Sequence, residues 1–307
     1  MFKKYKVAIT LWVALDISMI LFAIWLGKRL FFTEEEIIQA TQEIQYEFNL
    51  EEKYLLKAQL GPNKFEIIDG VLYAPGGKNG EILEIWGQEV YEDIFYEEIE
   101  IAEEVIHVDA AQRSVIYITK EGKLWGFGDN TYGQLGVSPK EGEYIKIPRL
   151  IAENVIYADI GIGNVIMLKE DGSVYVTGWN YNGQLGPQMD KREEYLGESV
   201  ALVPFSHEPS FVMKDAVYVN CGNYTMAAIN EQGELFMWGD NSFGEIGNGK
   251  KGEGLPTIST YFESEPYLVL GAIKDVRFDN FTVYATNIWD ETFVWGENYK
   301  STPEKLY

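Results

Sequence analysis

The chain has 307 residues, enough for a sizeable core in one or two domains. Its 48 Asp and Glu against 25 Lys and Arg give a net charge of −23, which argues against nucleic-acid backbones and anionic membrane surfaces as partners of the folded region; a basic partner and plain solubility both fit. An apolar content of 46% with 14% aromatics excludes a disordered acidic chain, and the single cysteine excludes an intrachain disulfide.

Residues 1–6 are a short tail bearing Lys3, Lys4 and Lys6. Residues 7–26, VAITLWVALDISMILFAIWL, have the length and apolarity of a transmembrane helix. No small-x-small cleavage site follows, so an uncleaved anchor is expected rather than a signal peptide. The N-terminal lysines outnumber Lys28 and Arg29, and that small margin places the tail in the cytoplasm and the large domain outside a single-pass cell-membrane anchor. Asp16, near mid-span, reads either as a contact to another membrane helix or as a tolerated neutral side chain. Thr33 and Glu36 form a capping box, and apolar residues at helical spacing predict a helix from Glu34 to Ala58 inside a stalk covering 33–60, ended by Gly61-Pro62.

Residues 61–307 are dominated by a phrase that recurs three times: GDNTYGQLG at Gly128–Gly136, GWNYNGQLG at Gly178–Gly186 and GDNSFGEIG at Gly239–Gly247. A truncated fourth copy, with Gly296 and Asn298, stands near the end of the sequence. The copies start 50, 61 and 57 residues apart, at Gly128, Gly178, Gly239 and Gly296. Six residues before each full phrase lies a turn glycine, Gly122, Gly172 or Gly233, between two alternating β-rich runs; Asp290 takes that place in the last unit. Such a unit is a hairpin with flanking strands, and periods of this size suit four-stranded propeller blades. Within the phrase the glycines, Gly133, Gly183 and Gly244 among them, supply backbone angles closed to other residues, and Asn130, Asn180 and Asn241 suit turns. Leu135, Leu185 and Ile246 are expected to wedge into the seam between units, with Gln134, Gln184 and Glu245 satisfying buried main-chain groups. NGEILEIWGQ around Trp86-Gly87 suggests one more degenerate unit between about Lys64 and Glu100.

Phrase, preceding strand and period together resemble the repeats of the regulator of chromosome condensation family over roughly residues 101–300. The resemblance implies a β-propeller, so the expected fold is all-β: a propeller-like array of about four to five blades behind a transmembrane helix and a helical stalk. Founding members of that family have seven blades. Either residues 64–87 complete the last blade here, or the array is an open arc that a homodimer could close.

The family's best-known activity is guanine-nucleotide exchange on a small nuclear GTPase, but neither a wedge nor a basic tail is visible in this acidic chain. The resemblance also extends to secreted bacterial propellers that bind other proteins. No nucleophile elbow, phosphate-cradling glycine loop, HExxH or calcium loop occurs, and His107 and His207 with Cys221 are too few for a Cys/His metal site. The expectation is a membrane-tethered, non-catalytic binding module for a protein or cell-wall ligand, with no cofactor, no metal and no nucleic acid. A hydrolase using a carboxylate pair in the propeller channel is the alternative. Candidate contact residues are Tyr144, Tyr195, Tyr261 and Phe262 in the connections 137–150, 187–210 and 248–270; they are read either as loop anchors or as parts of each blade's outer strand packed inward.

Overall fold

The hairpin turns set the period of the structure. A computed structural model describes residues 5–9, 44–60, 63–74, 77–78, 95–96, 99–187, 193–195, 203–252 and 261–306. Within them five antiparallel sheets follow one another along the chain. Blade one contains β3 (Lys57–Leu60), β4 (Asn63–Ile68), β5 (Val71–Ala74) and β8 (Ile99–Ala102); a two-stranded ribbon, β6 (Gly77–Lys78) with β7 (Phe95–Tyr96), branches from it. Blade two is β9 (Val105–Ala111), β10 (Ser114–Thr119), β11 (Leu124–Asp129) and β12 (Tyr144–Ala152). Blade three is β13 (Val155–Ile160), β14 (Asn164–Lys169), β15 (Val174–Trp179) and β17 (Val203–Met213), with β16 (Glu193–Tyr195) on its edge. Blade four is β18 (Ala216–Cys221), β19 (Thr225–Asn230), β20 (Leu235–Asp240) and β21 (Phe262–Leu270). Blade five is β22 (Ile273–Asp279), β23 (Thr282–Asn287), β24 (Thr292–Gly296) and β25 (Glu304–Lys305).

Because both faces of the middle strands are apolar, each sheet must be covered on two sides. In β14 and β19 nearly every side chain is buried, a pattern that one isolated sheet could not satisfy. The first strand of each sheet packs on that of the next, β3 on β9, β9 on β13, β13 on β18 and β18 on β22. Their side chains merge into three buried clusters centred on blades one and two, two and three, and three to five.

Each blade also reaches forward to its successor through its hairpin turn. The carbonyls of Gly70, Gly122, Gly172 and Gly233 accept the amides of Val105, Val155, Ala216 and Ile273, each at the start of the next blade. Gly70 belongs to a turn in IIDGVLYA, the same pattern as KEDGSVYV around Gly172, so blade one is a true repeat spanning 57–102. The segment around Trp86, expected to mark it, lies outside the described residues.

Two expectations are corrected at the ends of the array. Residues 44–60 are not a stalk helix: β2 (Ile44–Phe48) pairs with β1 (Tyr5–Ile9), a 3-10 turn covers Leu50–Lys53, and β3 pairs with β4. The alternation of Ile44, Tyr46 and Phe48 fits a strand, and long-range pairing of β3 outweighs local helix propensity. Residues 10–43, which hold most of the expected membrane span, lie outside the described residues; Val7–Ile9 lie in β1, and no helix among the described residues is long and apolar enough to cross a membrane. Of residues 64–87, which were expected to complete the last blade, 64–74 do not, because β4 and β5 are committed to blade one and β25 supplies the fourth strand of blade five; 79–87 lie outside the described residues. Among the described residues no further sheet packs extensively on the far side of blade five. On blade five itself Arg277 lies over the Tyr284 ring, 4.7 Å from its centroid.

Candidate functional site

The phrases all lie on one face of the array, because each begins where the third strand of its blade ends, opposite the start of the second: Ser114 pairs with Gly128, Asn164 with Gly178 and Thr225 with Gly239. Each phrase folds on its own side chains. Asn130, Asn180 and Asn241 accept the amides of Leu135, Leu185 and Ile246 at 2.9–3.0 Å, as an Asn that stabilises a turn should. Gln134, Gln184 and Glu245 accept the amides of Tyr132, Asn182 and Phe243. Leu135, Leu185 and Ile246 are fully buried, as their wedge role requires.

The phrase also clasps the next blade. Carbonyls of Gln134, Gln184 and Glu245 accept from Thr177 Oγ1, Trp238 Nε1 and Trp295 Nε1, at 2.7, 2.8 and 2.6 Å. At the phrase's central glycine the following blade comes so close that a side chain has no room: a Cβ on Gly133 would sit 2.9 Å from His207, and one on Gly183 2.9 Å from Ser264. All the full-phrase glycines, Gly136, Gly186 and Gly247 included, have positive φ, as does Gly296. Asn298 adopts the left-handed conformation in the truncated copy.

The face carries half-buried aromatics, one group of them set around the buried indole of Trp179. Tyr132 stacks on Trp179 (5.1 Å between centroids, 13° between planes), Tyr224 meets the same indole edge-on at 5.0 Å, and Tyr181, 40% exposed, lies 6.4 Å from it. Phe243 and Phe281 form a second pair at 4.7 Å across the seam between blades four and five. Burial raises the phenols of Tyr132 and Tyr224, so both stay neutral donors at physiological pH. Between these pairs the turns after the first strands of blades two to five, including Gln112, Ile162, Asn223 and Asn280, frame an axial mouth of about 270 Å³.

Below the mouth lie Asp109 and Asp159, one residue per inner strand. Asp109 accepts the amides of Ala110 and, across the seam, Ile160; Asp159 accepts those of Ile160 and, across the next seam, Cys221. Burial, then the neighbouring Asp109 charge, pushes Asp159 well above the usual carboxylate range. All four carboxylate oxygens thus accept backbone N–H groups, so the pair staples blade two to blade three and blade three to blade four. Cys221 is buried, and burial raises its thiol, which disfavours the reactive thiolate.

At the opposite end of the axis His107 is fully buried and doubly engaged. Its Nδ1 accepts the Leu55 amide at 2.9 Å and its Nε2 donates to the Ala158 carbonyl at 2.8 Å, which requires the neutral ring that burial favours. Tyr54 donates from its hydroxyl to the Ile156 carbonyl, and Lys53 forms an ion pair with Asp275. Residues 50–56 therefore lie across this end of the axis.

The four residues expected to make contact end up on outer strands. Tyr144 opens β12, half-buried, with Arg113 over its ring; Tyr195 ends β16, and its side chain lies outside the described residues. Tyr261 and Phe262 are both almost half exposed; Tyr261 immediately precedes β21 and Phe262 opens it, lying against the position of Gly183 in the previous blade. The more coherent set, Tyr132, Trp179, Tyr181, Tyr224, Phe243 and Phe281, escaped sequence reasoning. Its signal was present: the variable positions inside every phrase, T-Y, Y-N and S-F, carry an aromatic.

Comparison with known proteins agrees with this geometry. The family model described as "Regulator of chromosome condensation (RCC1) repeat" matches residues 121–165 and 171–229, and a second model of the same repeat matches 216–245. The human X-linked retinitis pigmentosa GTPase regulator is 34% identical over 143 residues, which is 46% of this chain but only 13% of that protein. Human WBSCR16 superposes with a TM-score of 0.60 at 17% identity, over 86% of this chain and 69% of its own. Yeast RCC1 (Prp20), solved bound to Kap60, gives 0.59 at 17% identity, over 80% of this chain and 59% of its own. At such identities the solved structures speak for the fold alone, and the repeat models speak for the units. Within residues 121–245 the central blades match models of the regulator of chromosome condensation repeat, and the sheets form a β-propeller-like array.

Proposed function

We propose that this chain is a non-catalytic propeller, tethered to a membrane by its N-terminal apolar run, that holds a protein partner on its phrase-bearing face. The observation that carries the reading is the pair of aromatic clusters on that face, Tyr132, Tyr181 and Tyr224 around Trp179 and Phe243 against Phe281. Tyr, Trp and Phe are enriched in protein interfaces and supply much of their binding energy, whereas the four oxygens of the Asp109–Asp159 pair beneath all accept backbone amides. Proteins sharing the architecture are described as binding others: yeast RCC1 was solved with Kap60, and Prp20p is described with its binding properties to Gsp1p and histones. The tether rests on the composition of residues 7–26.

A photo-crosslinking side chain placed at Tyr181 of the full-length protein should capture one partner in its native cells, while the same group at Ile147, 75% exposed on the edge strand β12, should not. With that partner purified, Tyr181→Ala should weaken binding roughly tenfold or more. Equal capture from both positions would reject the face, and cleavage of a cell-wall glycan by the purified chain would reject the non-catalytic reading. Release of the full chain from membranes by alkaline extraction would remove the tether.

A further inference from the structure

Three phrases share one fold, yet one position differs in chemistry. Gln134 and Gln184 occupy the seventh place in blades two and three, and Glu245 occupies it in blade four. One oxygen of each side chain does the same task, accepting the amide two residues earlier. The other end differs. Gln134 Nε2 donates to the Asp129 carbonyl at 2.8 Å and Gln184 Nε2 finds no partner, whereas Glu245 presents an oxygen, Oε1, that is buried and has no hydrogen-bond partner. Glu245 is 1% exposed, and the charged groups acting on it, Asp240 from its own blade and Glu297 from the next, are both acidic. A carboxylate here would be a buried anion facing two more, with no counter-charge acting on it among the described residues.

We propose that Glu245 is held as the neutral acid, as uncharged as Gln134 and Gln184 in the same place, and that loss of its proton loosens the seam between blades four and five. The seam is specific: the Glu245 carbonyl is the acceptor for Trp295 Nε1, and Phe243 and Phe281 meet across the same junction on the aromatic face. Alkalinisation would therefore act on one end of that face and leave the junctions built around Gln134 and Gln184 unaffected.

Desolvation, then the Asp240 charge, raises the carboxyl from 4.5 to about 8. A group raised on folding contributes its full stability below the unfolded value, loses it as pH climbs towards the folded value, and changes nothing further above that. Between about pH 5 and 8 this residue should therefore lower the folding constant by up to about tenfold per pH unit.

The test compares full-length wild type with Glu245→Gln in thermal melts from pH 5 to 9, together with hydrogen–deuterium exchange of peptides covering 240–250 and 291–300. The melting temperatures should coincide near pH 5 and separate as pH rises, with Glu245→Gln the more stable, and wild-type exchange at the seam should rise over the same range. A difference that is constant with pH, or of opposite sign, would overturn the proposal. So would failure of the variant to fold, since glutamine is the residue that blades two and three carry in this place.

Discussion

Gly178→Ala should abolish folding of the array or remove at least about 4 kcal/mol of its stability, the range reserved for severe steric and backbone lesions. Gly178 has a φ of +103°, a region that costs an L-residue about 1–3 kcal/mol, and its absent side chain would overlap the Gly163 carbonyl oxygen. That oxygen cannot retreat freely, since it accepts the Trp179 amide at 2.9 Å. Strain, overlap and a broken ladder bond thus coincide at one Cβ. Gly271→Ala is the control: nothing lies within 4 Å of the place its methyl would take, and the change should stay within about 0.5 kcal/mol. Urea unfolding followed by tryptophan fluorescence measures both; a Gly178→Ala midpoint within error of wild type would refute the steric account.

The second large effect is expected at the clasp between blades three and four. Trp238 is fully buried in the core shared by blades three to five, and its indole donates to the Gln184 carbonyl at 2.8 Å. Trp238→Ala should cost about 3–5 kcal/mol through the cavity alone. Trp238→Phe keeps most of the packing and leaves the buried carbonyl without its donor, so a loss of about 1–3 kcal/mol is expected. The ordering of the two midpoints separates packing from the clasp. Should Trp238→Phe behave as wild type, the inter-blade hydrogen bond contributes nothing measurable.

The repeat is legible in the sequence because its determinants are local. Gly172 in its hairpin, Asn180 bonding the Leu185 amide and the alternation through β14 and β15 all lie within one unit, so pattern and turn chemistry specify them directly. Blade one is legible too, but from a different marker, since the informative turn is Asp69-Gly70 rather than the stretch at Trp86. The expected helix over 34–58 reflects a real local tendency, yet residues 57–60 gain a strand partner in β4 that no local window reveals. The same limit hid the aromatic face. Tyr132 and Trp179 are 47 residues apart, and only the stacking of blade two on blade three brings their rings together. Tyr144 and Phe262 stand out in the sequence for lying in connections of variable length, but those connections supply outer strands, so the aromatics fall at strand beginnings.

The forward direction of every clasp has a consequence for biosynthesis. Gln134 waits for Thr177, Gln184 for Trp238 and Glu245 for Trp295, and on the other face Gly70, Gly122, Gly172 and Gly233 each wait for an amide 33 to 44 positions downstream. A nascent chain leaving the ribosome therefore carries one unfinished module at its growing end, whose sticky flank is sealed only when the next has been translated. Arg277 over Tyr284 ends that relay with a water-tolerant surface, so a ribosome stalled within blade four should leave a far more aggregation-prone product than one that has passed it.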